Sequence, residues 1–290
     1  MNSAETERPR DSGPSIPVPE FVHVQFEGHF VTVSSALPAC VAEFRSAFGP
    51  MLAERPTGVR AGRLEVIAAG DGIRILGADF ADSPPIADPD WAPRELFHAA
   101  VELLMRARQD LLWLHAGVAA LGDRAFVFCG PSGQGKSTLV GALLDRGWTY
   151  FSDETAAIDA TDGTVHPFPV TPHRRVSKGA MLEDIEAVRR LPKVAVHLPP
   201  ASVGRRPIPI AGVYFLRYSP AADAILESPC SPAQAVLEML QNSLSISTDR
   251  EREIALLARL VSQVPITQIT YASPEEAAGH VDAAVSARPA

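Results

Sequence analysis

Three observations predict an α/β fold for this chain of 290 residues. The apolar run Ala125 to Cys129 is followed by Gly130-Pro-Ser-Gly-Gln-Gly-Lys136-Ser137, and residues 138–146 then carry apolar positions at helical spacing. Strand, glycine loop and helix therefore come in that order. Alternating apolar segments at 21–36 and 62–76 predict β-hairpins. Further on, amphipathic helices and short apolar strands succeed one another to the end of the chain.

The elements follow in order. Met1 to Glu20 is rich in Pro, Ser and charge, and reads as a disordered leader. Residues 21–36 alternate around Glu27-Gly28-His29 as a hairpin, and Leu37 to Phe48 fits a short helix. Gly62 to Leu76 gives two strands around the turn signal Gly70-Asp71-Gly72. Pro84 to Pro93 is a proline-rich connector, which divides the chain into a leader (1–20), a small β-rich N-terminal module (21–90) and a larger domain (91–290). Arg94 to Gln109 carries Leu96, Phe97, Ala100, Leu103, Leu104 and Met105 on one helical face.

The larger domain begins with one strand over Leu112 to Ala120, the Gly122-Asp123 turn and the strand 125–129. After the loop helix, Gly147 stands where a C-cap belongs. Tyr150-Phe151 opens another strand, and Thr155 to Ile158 and Thr164 to His166 flank the turn signal Thr161-Asp162-Gly163. Residues 167–209 are interrupted by proline, with a helix expected at Met181 to Arg190. Ala211 to Tyr218 and Ile266 to Tyr271 are strands, and Ser231 to Leu244 and Glu251 to Gln263 are helices. Ser273-Pro-Glu-Glu opens a last helix, with serine as N-cap and proline in the first turn.

Composition narrows the function. A formal charge of −8 disfavours broad nucleic-acid binding, and no nucleic-acid partner is expected. No stretch reaches the ~18 apolar residues of a membrane helix, and the N-terminus lacks the apolar core of a signal peptide. Cys40, Cys129 and Cys230 form neither a zinc pattern nor a disulfide framework, so a reducing cytoplasm is the expected compartment. Cys129, inside an apolar strand, reads as a small core residue.

Gly130, Gly135, Lys136 and Ser137 complete the pattern G-x-x-x-x-G-K-[ST]. In such a loop successive backbone N–H groups form a nest for phosphate at a helix N-terminus. The nucleotide contacts are expected from Gly130, Ser132, Gly133, Gln134, Gly135, Lys136, Ser137 and Thr138. Lys136 is placed to reach the β and γ phosphates and the Ser137 hydroxyl to hold Mg²⁺. ATP and Mg²⁺ are the expected cofactors.

Asp153 and Glu154 follow Lys136 by 17 and 18 residues, at the expected end of the Tyr150-Phe151 strand. Phosphoryl transfer needs one carboxylate to position Mg²⁺ and one to accept the proton of the attacking hydroxyl. The metal set is therefore Ser137, Asp153 and Glu154. His115 lies in an apolar strand expected to pair with the strand that feeds the loop, either as a satisfied core residue or as a member of the site.

These segments together resemble the catalytic core of the HPr serine kinase/phosphorylase family: His115-Ala-Gly-Val, Cys129-Gly-Pro-Ser-Gly-Gln-Gly-Lys-Ser-Thr, and Leu144-Asp-Arg-Gly-Trp-Thr-Tyr-Phe-Ser-Asp-Glu154. The resemblance covers about residues 111–160. It implies the phosphoenolpyruvate-carboxykinase-like nucleotide fold, with Asp153 and Glu154 on the family's two aspartates. The strand at Gly212 to Leu216 and the Ser-Pro helix after it resemble divergent HPr-kinase-related proteins, some of which phosphorylate ribosomally made peptides such as lasso-peptide precursors. The chain departs from the family in having Glu154 for Asp, in lacking the later Glu-[IV]-Arg-Gly signature, and in its N-terminal segment.

The expected catalytic set is His115, Lys136, Asp153 and Glu154. Glu154, or else Asp153, takes the hydroxyl proton while the other orders the metal. The expected acceptor is a serine of a peptide or protein, and a homo-oligomer is left open. A small-molecule kinase and a nucleotide-binding regulator are the alternatives. His173-Arg174-Arg175, Lys178 and Arg205-Arg206 are either clamps for phosphate or acidic substrate, or solvated charge.

Overall fold

The computed structural model describes residues 19–70, 72–77, 80, 84–175, 193–244, 246 and 249–287. The leader up to residue 18, the helix expected at Met181 to Arg190, Lys178 and the side chains of Arg174 and Arg175 lie outside what is described.

The fold is mixed α/β. Glu20, assigned from sequence to the leader, opens strand β1 (Glu20–Phe26), which pairs antiparallel with β2 (His29–Ser35). Strand β3 (Val59–Ala69) runs parallel to β2, and β4 (Gly72–Leu76) returns along β3, giving a sheet in the order β1-β2-β3-β4. The parallel β2–β3 step is made by helix α1 (Pro38–Phe48) and the turn after it. Helix α2 (Ala92–Ala107) begins two residues before its predicted start and packs on α1, β2, β3 and β4. Its buried Leu96, Ala100, Leu103 and Leu104 join Val24, Val31, Val33, Leu64 and Phe44 in one cluster.

The strand expected over Leu112 to Ala120 is two strands. Strand β5 (Leu112–Leu114) pairs with β9 (Ala156–Asp159), whereas β6 (Ala116–Leu121) pairs with β7 (Arg124–Cys129). The break is His115, whose backbone N–H donates to Asn242 O at 2.6 Å instead of to a neighbouring strand. The large sheet runs β5-β9-β10-β13-β7-β6-β8, with β10 at Thr164–His166, β13 at Ile208–Tyr218 and β8 at Thr149–Ser152. One residue joins β5 to β6 although four strands separate them in this order, so the sheet must curl strongly. Beyond it, β15 (Ile266–Tyr271) pairs parallel to β13, and β14 (Leu226–Pro229) pairs antiparallel to β15. A ribbon of β11 (His173–Arg175) and β12 (Lys193–Ala195) lies within the irregular segment.

Strands β7 and β13 are buried on both faces, which is why they read as unbroken apolar runs. Val127, Cys129, Val213 and Phe215 face helices α4 (Pro232–Gln241) and α5 (Arg250–Gln263). Phe126, Phe128, Tyr214 and Leu216 face α3 (Lys136–Leu144) and α6 (Pro274–Ser286). Two serines cap helices: Ser231 Oγ accepts from Gln234 N, and Ser273 Oγ, the cap expected from the sequence, accepts from Glu276 N. No helix among the described residues is long and apolar enough to cross a membrane.

Candidate functional site

Strands β7 and β13 are parallel, with Cys129 opposite Phe215, so the glycine loop leaves the sheet at the carboxyl ends of its parallel strands. In open α/β sheets this end collects ligands. Gly135 is the residue before α3, at φ +85° in the left-handed region. A Cβ there would stand 2.8 Å from the Tyr271 hydroxyl, so both backbone angle and space require glycine. That hydroxyl donates to Gln134 O at 2.6 Å, tying the loop to the end of β15. The Gln134 side chain faces the protein: its Oε1 accepts from Tyr218 N at 2.5 Å. Gln134 is thus a strut that holds the loop against β13, and only its backbone is left to meet a phosphate.

Lys136 opens α3 and is buried at 6% exposure. Its Nζ donates to Gly130 O at 2.6 Å and to Pro131 O at 3.3 Å. Burial pulls the ammonium below its ordinary range, opposed by Cys129, Glu154 and Asp153. Burial also pushes the Cys129 thiol up to about 12, so it stays neutral and the carboxylates are the charges that hold the ammonium. Ser137 is half-buried in the same first turn. Ser132 is exposed on the loop, and Thr138 is exposed on the helix.

The acidic pair sits at the end of β8. Ser152 Oγ accepts from Thr155 N at 3.0 Å and Glu154 N at 3.4 Å, which turns the chain there. Asp153 is buried at 4% exposure and Glu154 is half-buried. Tyr150 Oη lies 2.8 Å from Asp153 Oδ1 and 2.8 Å from Val170 O. His115 Nδ1 lies 3.0 Å from Glu154 O. A carbonyl only accepts, so Nδ1 carries the hydrogen, and a neutral ring has Nε2 as its acceptor.

Gly117 explains how these parts come together. A Cβ on it would meet Val140 Cγ2 at 2.8 Å, and would lie 3.9 Å from both Asp153 Cα and Lys136 Cβ. At most twice that distance separates these two atoms. The glycine in β6 lets α3 and the acidic turn close on one strand.

His115, Ser132, Asp153 and Glu154 line a cleft of 1010 Å³, whose other wall includes Glu43 of α1 and Arg94, Phe97 and His98 of α2. His173 also reaches it. Arg205 lines a different cavity, of 630 Å³, and Arg206 pairs with Asp123 at 2.7 Å in the turn at the far end of β7. Neither arginine lines the cleft, and solvated charge fits Arg206. Among the described residues, no three His, Cys, Asp or Glu gather as a metal cluster. The expected donors Ser137, Asp153 and Glu154 are all oxygen groups, which suits Mg²⁺ sharing its shell with phosphate and water.

Sequence reasoning missed Tyr150, Gly117, Tyr271 and Tyr218. Tyr150 carried one usable signal: a polar-tipped aromatic in an apolar strand, three residues before a carboxylate, needs a partner for its hydroxyl.

No protein-family model matches the chain, and no curated protein matches it. Among solved structures the chain is similar to the HPr(Ser) kinase/phosphatase from Coxiella burnetii, at 11% identity over 60% of this chain and 96% of that one. The TM-score is 0.34, too low for an argument about site or activity to rest on it.

Proposed function

We propose that the protein is an ATP- and Mg²⁺-dependent kinase that transfers the γ-phosphate to a hydroxyl, the acceptor being a serine of a peptide or protein. The observation that carries this reading is the buried ammonium of Lys136, set in a glycine loop at a helix N-terminus, with Asp153 near enough across Gly117 for its charge to act on it. A loop that only turned the chain would have no use for a buried charge beside a carboxylate. The loop N–H groups and Lys136 hold the phosphates and offset the charge that develops on them. Ser137 and the acidic pair hold Mg²⁺, which when bound neutralises the phosphate oxygens. The pair also takes the proton of the acceptor hydroxyl, and His115 holds the turn that carries it. The cleft's 1010 Å³ is at the upper end of small-molecule pockets, which favours a peptide segment as the group that enters it.

The test is transfer from γ-labelled ATP to a serine-containing peptide library, with mass spectrometry of the products. Wild-type protein is expected to phosphorylate a subset of peptides, and Lys136→Ala and Asp153→Asn to lose at least ~10²-fold in rate while remaining folded. Normal transfer by both variants would sink the proposal. Nucleotide-dependent stabilisation with no transfer to any acceptor would replace it with a binding role.

A further inference from the structure

We infer that Tyr150 is a positioning residue, which holds the Asp153 carboxylate in one orientation; this rests on the kinase reading above. Its hydroxyl is 2.8 Å from Asp153 Oδ1, and the whole side chain is at 0% exposure. A phenol has one hydrogen to give. Two acceptors compete for it, Asp153 Oδ1 and Val170 O. A carboxylate is a stronger acceptor than a carbonyl, so Asp153 takes the hydrogen. Burial, and then the charge of Asp153, raise the phenol well above its ordinary value, so it acts as a donor throughout the working pH range.

The geometry is directional. Tyr150 lies in strand β8 and Asp153 directly follows the strand's end, and the Ser152 turn brings the carboxylate to the hydroxyl. Opposing charges and titratable groups also face Asp153. Lys136 approaches from α3, Glu154 is adjacent in the turn, and His115 stands at the β5–β6 break. Across the cleft are Glu43 of α1, Asp90, Arg94, His98 and Glu102 of α2 and its approach, and His173 of β11.

The experiment is Tyr150→Phe, which keeps the ring and removes the hydroxyl. The kcat at neutral pH is expected to fall about tenfold with KM for ATP within twofold, because the ammonium and the loop are untouched. The Mg²⁺ concentration for half-maximal binding of a fluorescent ADP is expected to rise severalfold, a readout that needs no turnover. An unchanged kcat together with an unchanged Mg²⁺ requirement overturns the inference, whatever happens to the melting temperature. Failure of the kinase reading looks different: wild-type protein would then bind no Mg²⁺–ADP or transfer no phosphate.

Discussion

His115 Nδ1 donates to the carbonyl oxygen of Glu154 at 3.0 Å, across 39 residues of sequence. The contact ties the break between β5 and β6 to the turn that carries both carboxylates. It also explains why a histidine stands in an otherwise apolar stretch. The β5–β6 kink frees the ring from the sheet, and the Glu154 carbonyl gives it a partner.

His115→Ala should therefore loosen the acidic turn without touching the glycine loop. The expected outcome is a fall in kcat of about 10- to 100-fold with KM for ATP little changed. His115→Asn, which can still donate to the carbonyl, should recover part of the loss. Steady-state kinetics on the three proteins decide this, and equal activity in all of them would remove His115 from the site.

Lys136→Met should separate stability from function. The folded protein holds this ammonium below its ordinary pKa through burial, so the charged form costs stability at neutral pH. The unfolded chain binds more protons across the window between the lowered folded pKa and 10.5, so stability rises with pH there. The methionine variant should melt at the same temperature as the wild type or higher, lose that rise, and lose Mg²⁺–nucleotide binding. Chemical denaturation at neutral and alkaline pH, with nucleotide titration, measures all three.

Tyr271→Phe removes the 2.6 Å hydrogen bond to Gln134 O and leaves the packing of the ring. The loop should become less preorganised, with affinity for ADP falling about 5- to 10-fold, the equivalent of about 1 kcal/mol. Gly135→Ala should do more harm, since its Cβ would stand 2.8 Å from the same hydroxyl at a left-handed φ. Calorimetric titration with Mg²⁺–ADP ranks the two. A Gly135→Ala protein that binds as tightly as wild type would show that the loop geometry is unimportant.

Glu27, in the β1–β2 turn, reaches His166 Nδ1 of β10 at 3.1 Å. The contact is a hydrogen bond of loose geometry. It lowers the Glu27 pKa from the ordinary 4.5, with burial opposing. This stability is present above pH 4.5 and is lost as pH falls through the lower folded value. Glu27→Gln should be less stable than wild type at neutral pH and should lose less on acidification. Denaturant midpoints on either side of pH 4.5 test the sign.

Much of the secondary structure was legible because it is local. The hairpin at 21–36, the strand into the glycine loop, the helix out of it and the serine-capped last helix follow from period, turn residues and caps. Boundaries slipped where neighbours decided them. Helix α2 starts at Ala92, inside the expected connector, with Asp88 accepting from Asp90 N in the turn before it. Strand β14, exposed along its whole length, gave no apolar signal and exists through its pairing with β15.

By itself the sequence determined the loop, its lysine and a carboxylate pair at a strand end, because residue type and short spacing are enough to state those. Only the tertiary structure decided what each side chain faces. It turned Gln134 inward to Tyr218, brought Asp153 beside Lys136 over Gly117, and set Tyr150 between Asp153 and Val170. It also laid α2 on the N-terminal sheet, so that its residues form a wall of the cleft. The physical reason is range. Backbone propensity acts over a few residues, whereas each of these contacts depends on how a curled sheet folds distant segments against one another.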